Sequence, residues 1–507
     1  MPIPAISRIL APTLAERPGA TAVVARSGTL TYAELDAAAD AAAGALWELG
    51  VRPGNRVAAC LPNDLPMVTA FYGAQRIGAV WAGIGENLTA AEQRALAALC
   101  EPTVVLAGPR CLLDAAAVTA GGALADAGRW TELTRARLAA PAVEIDPHAP
   151  AGIAFSSGTT GAPKAIVHSQ HNLVLPAVSL VASRGYGPDL RKGDCFPLTI
   201  LNMQVASLLV SAQAGGCAIV MDRRDSDGIA EWIGQEKATF WNGAPAQFYD
   251  LAQRADLDLS SLTEVWTGGA DCPEYIRDAF AATHGLPMTA TYGLSEAPAV
   301  VAIDPVDGEH RPGSSGRVLP HLTVAAYDDN SRRLEPGGTG ELRLSAATTG
   351  PFAGLWRPPL GYWDGGVLRP GAGDSASKDM AATGDIGRVD ADGWLTMVDR
   401  KKLLIVRGGA NVYPAEVEAV LSQHPGVADA VVFGVPDDRL GEQVAALVVP
   451  DNTASLDAGT LAAFCAGRLA RYKIPEVWGL AADLPRNAMN KIIRSGLPAL
   501  LRSSKPL

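Results

Sequence analysis

The stretch from Ile153 to Ser169, IAFSSGTTGAPKAIVHS, limits what this chain can fold into more than any other. An apolar run at its start gives way to small hydroxyl and glycine residues, and apolar character returns after Pro163 and Lys164. This pattern predicts a strand, a loop and a second strand. Backbone amides in such a loop can point at one spot and hydroxyl groups add donors, so the loop suits phosphate oxygens.

Two other interpretations of this stretch fit less well. A Walker loop has four residues between its glycine and Gly-Lys-Ser/Thr and then opens a helix, whereas here a second strand is expected. A flexible linker rarely carries a Pro-Lys pair followed by a β-branched run. The predicted phosphate contacts are Ser156, Ser157, Gly158, Thr159, Thr160, Gly161 and Lys164.

Length and charge narrow the class of protein. A chain of 507 residues exceeds what one hydrophobic core usually supports, so two or more domains are expected. The formal net charge of −11 argues against a nucleic-acid-binding protein, whose affinity comes mostly from phosphate neutralisation. The positive charge that an anionic ligand needs must therefore be local.

The spacing of the cysteines and the length of the apolar runs indicate a cellular location. Seven scattered cysteines form no Cys-x-x-Cys pair, and no histidines cluster at metal-ligand spacing. No run of about 18 apolar residues predicts a transmembrane helix, and no leader peptide is evident. We expect a reducing, cytoplasmic location, with peripheral membrane contact left open.

Strands and helices alternate through the first 300 residues. Helical spacing at 35–49 and 63–77 surrounds an apolar run at 56–61, and further strands are expected near 103–107, 215–221, 239–241 and 264–267. This order predicts a parallel sheet with packed helices. Ligands bind at strand ends in such sheets, which makes Gly269, Ala270 and Asp271 candidate ligand contacts.

The pattern changes after about Val318. Short alternating strands separated by Pro/Gly turns predict a mostly antiparallel subdomain at about 318–400. Past Arg400, helices at 415–422 and 461–471 and strands at 429–435 and 443–449 predict a compact unit. The predicted fold is α/β, with a large N-terminal domain (1–400) of parallel-type sheets and a small α+β C-terminal domain (401–507).

SSGTTGAPK resembles the phosphate-loop signature of the adenylate-forming superfamily, which includes acyl-CoA synthetases, peptide-synthetase adenylation domains and luciferases. The string TYGLSE, in which Thr291 comes first, is similar to the family's next motif. The resemblance implies that Tyr292 stacks on adenine, Ser295 bonds the α-phosphate and Glu296 helps to hold Mg²⁺. On its own, a tyrosine at a strand end is more often a packing residue. Gly293 is assigned to the acid pocket.

Three more motifs follow in family order. Thr383-Gly384-Asp385 and Asp399-Arg400-Lys401-Lys402 resemble the ribose-binding and hinge motifs, which implies that Asp385 and Arg400 hold the ribose and that Lys402 is the hinge of a mobile C-terminal domain. Gly408 and Gly409 resemble the segment that lines the pantetheine path in related CoA ligases, although a tight turn would also need glycine. Near the C-terminus, Lys491 matches the family's catalytic lysine, with Asn490 where many members have glycine.

The acid pocket departs from the family pattern. Thr199 and Ile200 stand where many relatives have an aromatic residue and a histidine, and Trp241, Asn242 and Gly243 are expected to form the far wall. Aliphatic Ile200 favours a hydrophobic acid. For the adenine and 3′-phosphate of CoA we expect Tyr472 and Lys473 next to Arg471, although solvated residues at a helix end are the commoner case.

Together the motifs imply an acyl-CoA synthetase that uses ATP, Mg²⁺ and CoA on a small-molecule carboxylic acid. One alternative is an adenylating enzyme that loads a carrier protein, which CoA-dependent AMP release would separate. A second is a non-catalytic nucleotide-binding regulator, against which Glu296 and Lys491 argue. No feature indicates the oxygen chemistry of a luciferase, and a homodimer is neither indicated nor excluded.

Overall fold

The structure is a computed structural model that describes residues 3–119, 121–157, 163–268, 272–364, 366–370, 379–407, 410–437, 439–451, 456–486 and 492–506. The chain divides into two compact units. The first comprises Met1–Val324, Leu344–Ala382 and Asp392–Trp394. The second comprises Ala325–Arg343, Thr383–Ala391 and Leu395–Leu507. The predicted domain boundary at Arg400 stays a prediction.

Strands and helices alternate along the first 320 residues. The strands are β1 Thr21–Ala25, β2 Gly28–Thr31, β3 Arg56–Cys60, β4 Val80–Gly83, β5 Val104–Ala107, β6 Ala123–Asp126, β7 Pro150–Ser157, β8 Pro163–Ser169, β9 Arg191–Asp194, β10 Cys217–Val220, β11 Phe240–Gly243, β12 Glu264–Thr267, β13 Met288–Leu294, β14 Ala297–Ile303 and β15 Arg317–Val318. The helices are α1 Ala11–Glu16, α2 Tyr32–Glu48, α3 Leu65–Arg76, α4 Ala90–Cys100, α5 Ala127–Arg135, α6 Gln170–Arg184, α7 Leu201–Met203, α8 Val210–Ala214, α9 Ser226–Glu236, α10 Pro245–Ala252 and α11 Glu274–His284. A π-helical segment, Gln204–Leu209, joins α7 to α8.

The rest of the chain is richer in strands. The strands are β16 Leu322–Tyr327, β17 Gly340–Ala346, β18 Gly361–Asp364, β19 Val367–Arg369, β20 Met380–Val389, β21 Leu395–Arg400, β22 Ile405–Arg407, β23 Ala410–Val412, β24 Val427–Asp437, β25 Gly441–Pro450, β26 Val477–Leu480 and β27 Lys505–Pro506. The helices are α12 Pro414–Leu421, α13 Ala458–Ala466 and α14 Leu497–Ser503.

Two large mixed sheets organise the first unit. One has the order β15-β14-β13-β12-β11-β9-β10-β1-β2, in which neighbours from β1 to β13 run parallel. The other has the order β19-β18-β8-β7-β4-β3-β5-β6. Its strands β4, β3, β5 and β6 are short, apolar and mostly buried, as expected for parallel strands covered on both faces. In both sheets, predicted motifs begin at the carboxyl ends of parallel strands.

Local sequence explains the helices that cover these sheets. Helix α2 starts at a capping box, in which the backbone amide of Glu34 donates to the Thr31 hydroxyl and the Glu34 carboxylate accepts from Thr31. Leu35, Ala42 and Leu46 repeat at helical spacing and are fully buried. No described helix combines the length and the apolarity that crossing a membrane requires.

Smaller sheets follow. Strands β16, β17, β20 and β21 form a four-stranded sheet, and β22 to β27 form a sheet in which β24 pairs with β25. In the second unit, α12 and α13 cover this last sheet through an apolar cluster that includes Val417, Leu421 and Leu461. The predicted α/β class with added antiparallel strands is therefore confirmed.

Three details differ from the sequence-based expectations. Strand β9, with the sequence RKGD, was missed because its charged residues give no strand signal. The strand expected near 239–241 runs on through Asn242 and Gly243, which pair with β12. The helix expected over 461–471 ends at Ala466, which leaves Tyr472 and Lys473 in a separate short 3-10 turn.

Candidate active site

The predicted strand–loop–strand at 153–169 is a β-hairpin. Strands β7 and β8 pair antiparallel, with Ser156 opposite Lys164 and Ser157 opposite Pro163. The loop residues Gly158, Thr159, Thr160 and Gly161 lie outside the described residues. The hairpin therefore supports both ends of the predicted phosphate loop, and Lys164 is the second residue of its return strand.

Lys164 lies close to an aromatic ring that the sequence interpretation did not use. Tyr362 of β18 pairs with Ile166 of β8, and the Lys164 Nζ atom is 5.5 Å from the centre of the Tyr362 ring. Burial raises the pKa of Tyr362, and the negative charge of Glu296 raises it further. Tyr362 therefore lies near Lys164, and the charge of Glu296 acts on it as well.

The second motif forms the tip of another hairpin. Leu294 at the end of β13 pairs with Ala297 at the start of β14, so that Ser295 and Glu296 are the two turn residues. Gly293 precedes this turn, where a Cβ atom would lie 2.0 Å from the carbonyl oxygen of Ala299. A side chain cannot fit there, so glycine is required at this position. Tyr292 is buried on β13.

His168 holds the tip of this hairpin from the neighbouring sheet. It is fully buried on β8, and its Nε2 atom is 2.8 Å from the carbonyl oxygen of Ser295. Because a carbonyl oxygen only accepts, Nε2 carries the proton. Burial lowers the pKa of His168 to about 4, so the ring is neutral at pH 7.

Asn202 holds the same tip from a second direction. It lies on α7, and its Nδ2 atom donates to the carbonyl oxygen of Leu294 at 3.0 Å. Two consecutive carbonyls of the turn, at Leu294 and Ser295, are therefore fixed by side chains from two different elements. This places Ser295 and Glu296 in a defined position relative to β8, the strand that carries Lys164.

The loop after β12 starts beside this hairpin. Thr291 donates its hydroxyl to the carbonyl oxygen of Thr267 at 2.9 Å, and a Cβ atom at Gly268 would lie 2.2 Å from that hydroxyl oxygen. Gly268 therefore lets the chain leave β12 close to β13. The predicted contacts Gly269, Ala270 and Asp271 follow directly and lie outside the described residues.

Glu296 suits a magnesium ion that is shared with phosphates. Its half-buried carboxylate lies at the hairpin tip and is a hard oxygen ligand, and Mg²⁺ commonly binds one or two carboxylates together with phosphate oxygens and water. Within the described ranges, no group of three or more His, Cys, Asp or Glu residues could hold a metal ion without other ligands. The donor set therefore fits an ion brought in with a polyphosphate.

The predicted acid segment packs against the second large sheet. A Cβ atom at Gly83, the last residue of β4, would lie 1.9 Å from the carbonyl oxygen of Thr199. Thr199 and Ile200 are half-buried and lead directly into α7, which carries Asn202. The predicted acid segment therefore continues directly into Asn202, which binds the carbonyl oxygen of Leu294 in the turn of the nucleotide motif.

The residues predicted to form the far wall of the acid pocket lie on two different faces of β11. Asn242 lies on the same face as Phe240, whereas Trp241 is fully buried in the core cluster on the other face, 4.9 Å from the Phe248 ring. The Trp241 ring folds over Gly243, where a Cβ atom would lie 2.3 Å from it. A lining role for the Trp241 side chain has no support in these contacts.

In the second unit, the two predicted ribose residues are paired. Asp385 on β20 lies opposite Arg400 on β21, and the Arg400 Nε atom is 3.2 Å from Asp385 Oδ1. The Asp385 side chain is only 1% exposed, whereas Arg400 is about half exposed. The Thr383 hydroxyl accepts from the Asp385 amide and donates to the carbonyl oxygen of Leu342, which fixes this bend.

Asp399, the residue before Arg400, binds the start of the next helix. Asp399 accepts from the amide of Ala415 at 2.9 Å, so its carboxylate caps the start of α12. Burial raises the pKa of Asp399. Lys402 lies in a short 3-10 turn, Lys401–Leu403, within the second unit. Its role as a hinge stays a prediction.

The remaining predicted contacts are only partly described. The Lys473 ammonium donates to both carboxylate oxygens of Glu416 at 2.6 Å, and Tyr472 is 39% exposed. An anionic ligand at Lys473 would have to compete with Glu416. Gly408, Gly409 and Lys491 lie outside the described residues.

Sequence reasoning missed three residues that position this site: His168, Asn202 and Tyr362. His168 lies within the stretch that drew attention first, but a lone histidine on a strand gives no sign of its partner. Asn202 stands in a largely apolar segment, LTILNMQ, where nothing distinguishes its amide from that of Gln204. The partners of all three are distant in sequence, so only the fold identifies them.

Comparison with known proteins agrees with this geometry. The sequence profile described as AMP-binding enzyme matches residues 10–356, and the profile described as AMP-binding enzyme C-terminal domain matches residues 416–491. Indoleacetate–CoA ligase of Aromatoleum aromaticum is 32% identical over 509 residues, which cover 96% of each chain. A long-chain-fatty-acid–CoA ligase of Mycobacterium tuberculosis is 33% identical and covers 92% of each chain.

A solved structure with a similar fold is that of ATP-bound MatB from Rhodopseudomonas palustris. It superposes with a TM-score of 0.87 at 26% identity, over 97% of this chain and 98% of the other. The similarity therefore extends over both units of the chain.

Proposed function

Because the chain belongs to the AMP-binding enzyme family and is an AMP-forming acyl-CoA ligase, we propose that it activates a hydrophobic carboxylic acid. Its relatives are named for indoleacetate and for long-chain fatty acids, which share a carboxylate on an apolar body. Aliphatic Ile200, where many relatives have histidine, favours the same class of acid.

The first half-reaction forms an acyl-adenylate. A carboxylate oxygen of the acid attacks the α-phosphorus of ATP, a phosphorus–oxygen bond forms, and the bond to pyrophosphate breaks. Lys164, Ser295 and the loop between β7 and β8 bind phosphate oxygens. Glu296 would hold Mg²⁺, which supplies charge neutralisation at the phosphates. Lys491 stabilises the charge that develops on the transferring group.

The second half-reaction transfers the acyl group. The CoA thiol loses its proton to solvent and its sulfur attacks the acyl carbonyl carbon. A thioester forms, the bond from that carbon to the AMP oxygen breaks, and AMP leaves with the bonding electron pair. Asp385 and Arg400 hold the ribose through both steps, because a carboxylate can accept from both ribose hydroxyls. Lys402 is the proposed hinge, and Gly408 and Gly409 leave room for pantetheine.

One observation carries this proposal: the β13–β14 tip is fixed by His168 and Asn202 beside the strand that carries Lys164. A clamp on two consecutive carbonyls is unnecessary for an ordinary surface turn. It does suit residues that must meet a phosphate and its counterion with little reorganisation, since preorganised groups stabilise transition-state charge efficiently.

Pyrophosphate exchange tests the proposed acid class. Purified protein is incubated with ATP, Mg²⁺ and labelled pyrophosphate, together with benzoate, phenylacetate, a hydroxycinnamate, octanoate or dodecanoate. Exchange should depend on at least one hydrophobic acid and be much weaker with acetate or succinate. Exchange that is strongest with small polar acids would contradict the proposed class.

A second candidate function is the loading of a carrier protein. It is favoured by the engagement of Lys473 with Glu416, which removes one of the expected partners for the CoA phosphate. AMP formation with and without CoA separates the two candidates. Rapid CoA-dependent AMP release supports CoA as the acceptor, whereas exchange without any CoA-dependent turnover supports a carrier protein.

A further inference from the structure

Two charged side chains lie inside the nine-stranded sheet, where apolar residues are the rule. Strand β9 runs between β10 and β11, and its Lys192 and Asp194 side chains are 0% and 1% exposed. In the parallel register with β11, Lys192 is opposite Phe240 and Asp194 is opposite Asn242. All four residues therefore share one face of the sheet.

These four side chains form one buried cluster. The Lys192 ammonium donates to Asn242 Oδ1, and its Nζ atom lies 3.5 Å from Asp194 Oδ2. Asn242 lies opposite Asp194 in the register, and its side chain favours the charged form of the Asp194 carboxylate. Lys192 also lies 4.2 Å from the centre of the Phe240 ring, which offers its negative face to the ammonium.

Burial works against both charges. It lowers the pKa of Lys192 and raises the pKa of Asp194, so each ion depends on its partners to stay charged. Buried ion pairs of this kind contribute little net stability compared with apolar residues of similar volume. A stabilising role alone therefore does not account for the cluster.

The cluster holds the segment that leads to the acid pocket. Asp194 Oδ1 accepts from the amide of Phe196 at 3.0 Å. From the other side, Asn63 Nδ2 donates to the carbonyl oxygen of Phe196 and Asn63 Oδ1 accepts from the amide of Leu198, each at 2.8 Å. The backbone is thus fixed just before Thr199 and Ile200.

We propose that Lys192, Asn242 and Asp194 are positioning residues that determine which acids this enzyme accepts. The cluster joins the segment at Cys195–Ile200 to the carboxyl end of β11 and so sets the distance between two sides of the pocket. This inference rests on the proposed function, because it takes Thr199, Ile200 and Asn242 to border the acid.

The test compares removal of one charge with removal of both. In Lys192→Met the Asp194 carboxylate loses its buried partner, whereas in Lys192→Met with Asp194→Asn no charge is left. The matched control is Arg277→Met with Asp304→Asn, a buried ion pair of the same unit whose described contacts do not include 195–200. For each protein, kcat and KM are measured for phenylacetate, dodecanoate and ATP, and thermal unfolding is measured in parallel.

We expect Lys192→Met to lower the melting temperature and the double variant to recover it. In the double variant, the ratio of kcat/KM for phenylacetate to that for dodecanoate should still differ at least 5-fold from wild type, through KM for the acid, with KM for ATP within about 2-fold. The control pair should leave the acid ratio unchanged. A double variant that folds and keeps the wild-type acid ratio would overturn the proposal.

A second variant covers the case in which the charge variants do not fold. Asn63→Ala releases the same segment without leaving a buried charge and should also change the acid ratio. An unchanged ratio in folded Asn63→Ala would refute the proposed role of the segment. Wild-type protein without acid-dependent pyrophosphate exchange would refute the proposed function itself, which is a separate outcome.

Discussion

His168 on β8 donates a hydrogen bond from Nε2 to the carbonyl oxygen of Ser295, 2.8 Å away in the turn between β13 and β14. The bond joins two strands from different sheets whose residues are 127 positions apart. It connects the strand that carries Lys164 to the turn that carries Ser295 and Glu296. The relative position of the phosphate-binding strand and the turn therefore depends on one buried imidazole.

Replacement of His168 should impair adenylation more than folding. In His168→Ala the Ser295 carbonyl loses its donor in a buried site, which costs about 1–3 kcal/mol. We expect the rate of pyrophosphate exchange per folded molecule to fall about 10-fold or more. The matched control is His321→Ala, because His321 is also buried but bonds the Ser179 hydroxyl. Equal exchange rates in the two folded variants would contradict the assigned role.

The same histidine should make stability depend on pH. The pKa of His168 is about 4 in the folded chain and 6.5 when exposed, so the unfolded chain binds more protons between these values. Its contribution is fully present above pH 6.5 and is lost as the pH falls towards 4. At pH 5 the loss should be about 2 kcal/mol. The measurement is the free energy of unfolding at pH 7 and pH 5.

His168→Gln provides the reference for this measurement. Glutamine can still donate to Ser295 but does not titrate, while His321, whose pKa burial lowers to about 3, remains in both proteins. The pH-dependent loss should therefore be smaller in the variant by about 2 kcal/mol. The same loss in both proteins would show that His168 is not the group responsible.

The sequence predicted the strands and helices of this site better than the side-chain contacts between them. Apolar runs and helical spacing identified β3, β5, α2 and α3, because each has a largely buried apolar pattern. Strand β9 was missed because Lys192 and Asp194 give a polar pattern, and only tertiary contacts let them be buried. His168, Asn202 and Tyr362 escaped for a related reason, since each acts on a residue far away along the chain. Trp241 was assigned to the pocket from its neighbours, but strand alternation places it in the core.

Asp385 should matter in both half-reactions. Its side chain is buried beside Arg400, and the proposed ribose contact is present in ATP, acyl-adenylate and AMP alike. Asp385→Asn replaces a charged acceptor with an amide, so we expect weaker binding of ATP and AMP by about 10–100-fold, which corresponds to the loss of a charge-assisted hydrogen bond. Arg388→Ala, an exposed residue of the same strand, is the control. Calorimetric titration with AMP checks the prediction, and unchanged affinity would contradict it.

The aromatic ring of Tyr362 should affect the KM for ATP. The ring centre lies 5.5 Å from Lys164 Nζ, so Tyr362→Phe should keep KM for ATP within about 2-fold, whereas Tyr362→Ala should raise it about 3–10-fold. Trp363→Phe tests the adjacent residue, which packs into the core cluster on the other face of β18. Pyrophosphate exchange at varied ATP gives KM. A Phe variant as impaired as the Ala variant would assign the effect to the hydroxyl group.

Lys491 and Gly409 should separate the two half-reactions. Lys491→Ala removes the proposed charge stabiliser at the α-phosphate and should slow acid-dependent pyrophosphate exchange by about 10²–10³. It should leave thioester formation from supplied acyl-adenylate within a few-fold of wild type, because that step breaks the bond to AMP without a new bond at phosphorus. Lys505→Ala, at an exposed lysine near the C-terminus, is the control for charge.

Gly409→Leu should give the opposite result. A leucine side chain would fill the proposed pantetheine path, so exchange should persist while thioester formation from acyl-adenylate and CoA falls. Rapid-quench assays of each half-reaction, run with both variants, measure the two rates independently. If Lys491→Ala slows both steps equally, the lysine does not act on the adenylation step alone. If Gly409→Leu leaves thioester formation unchanged, CoA does not pass this residue, and the tight-turn interpretation of the two glycines is preferred.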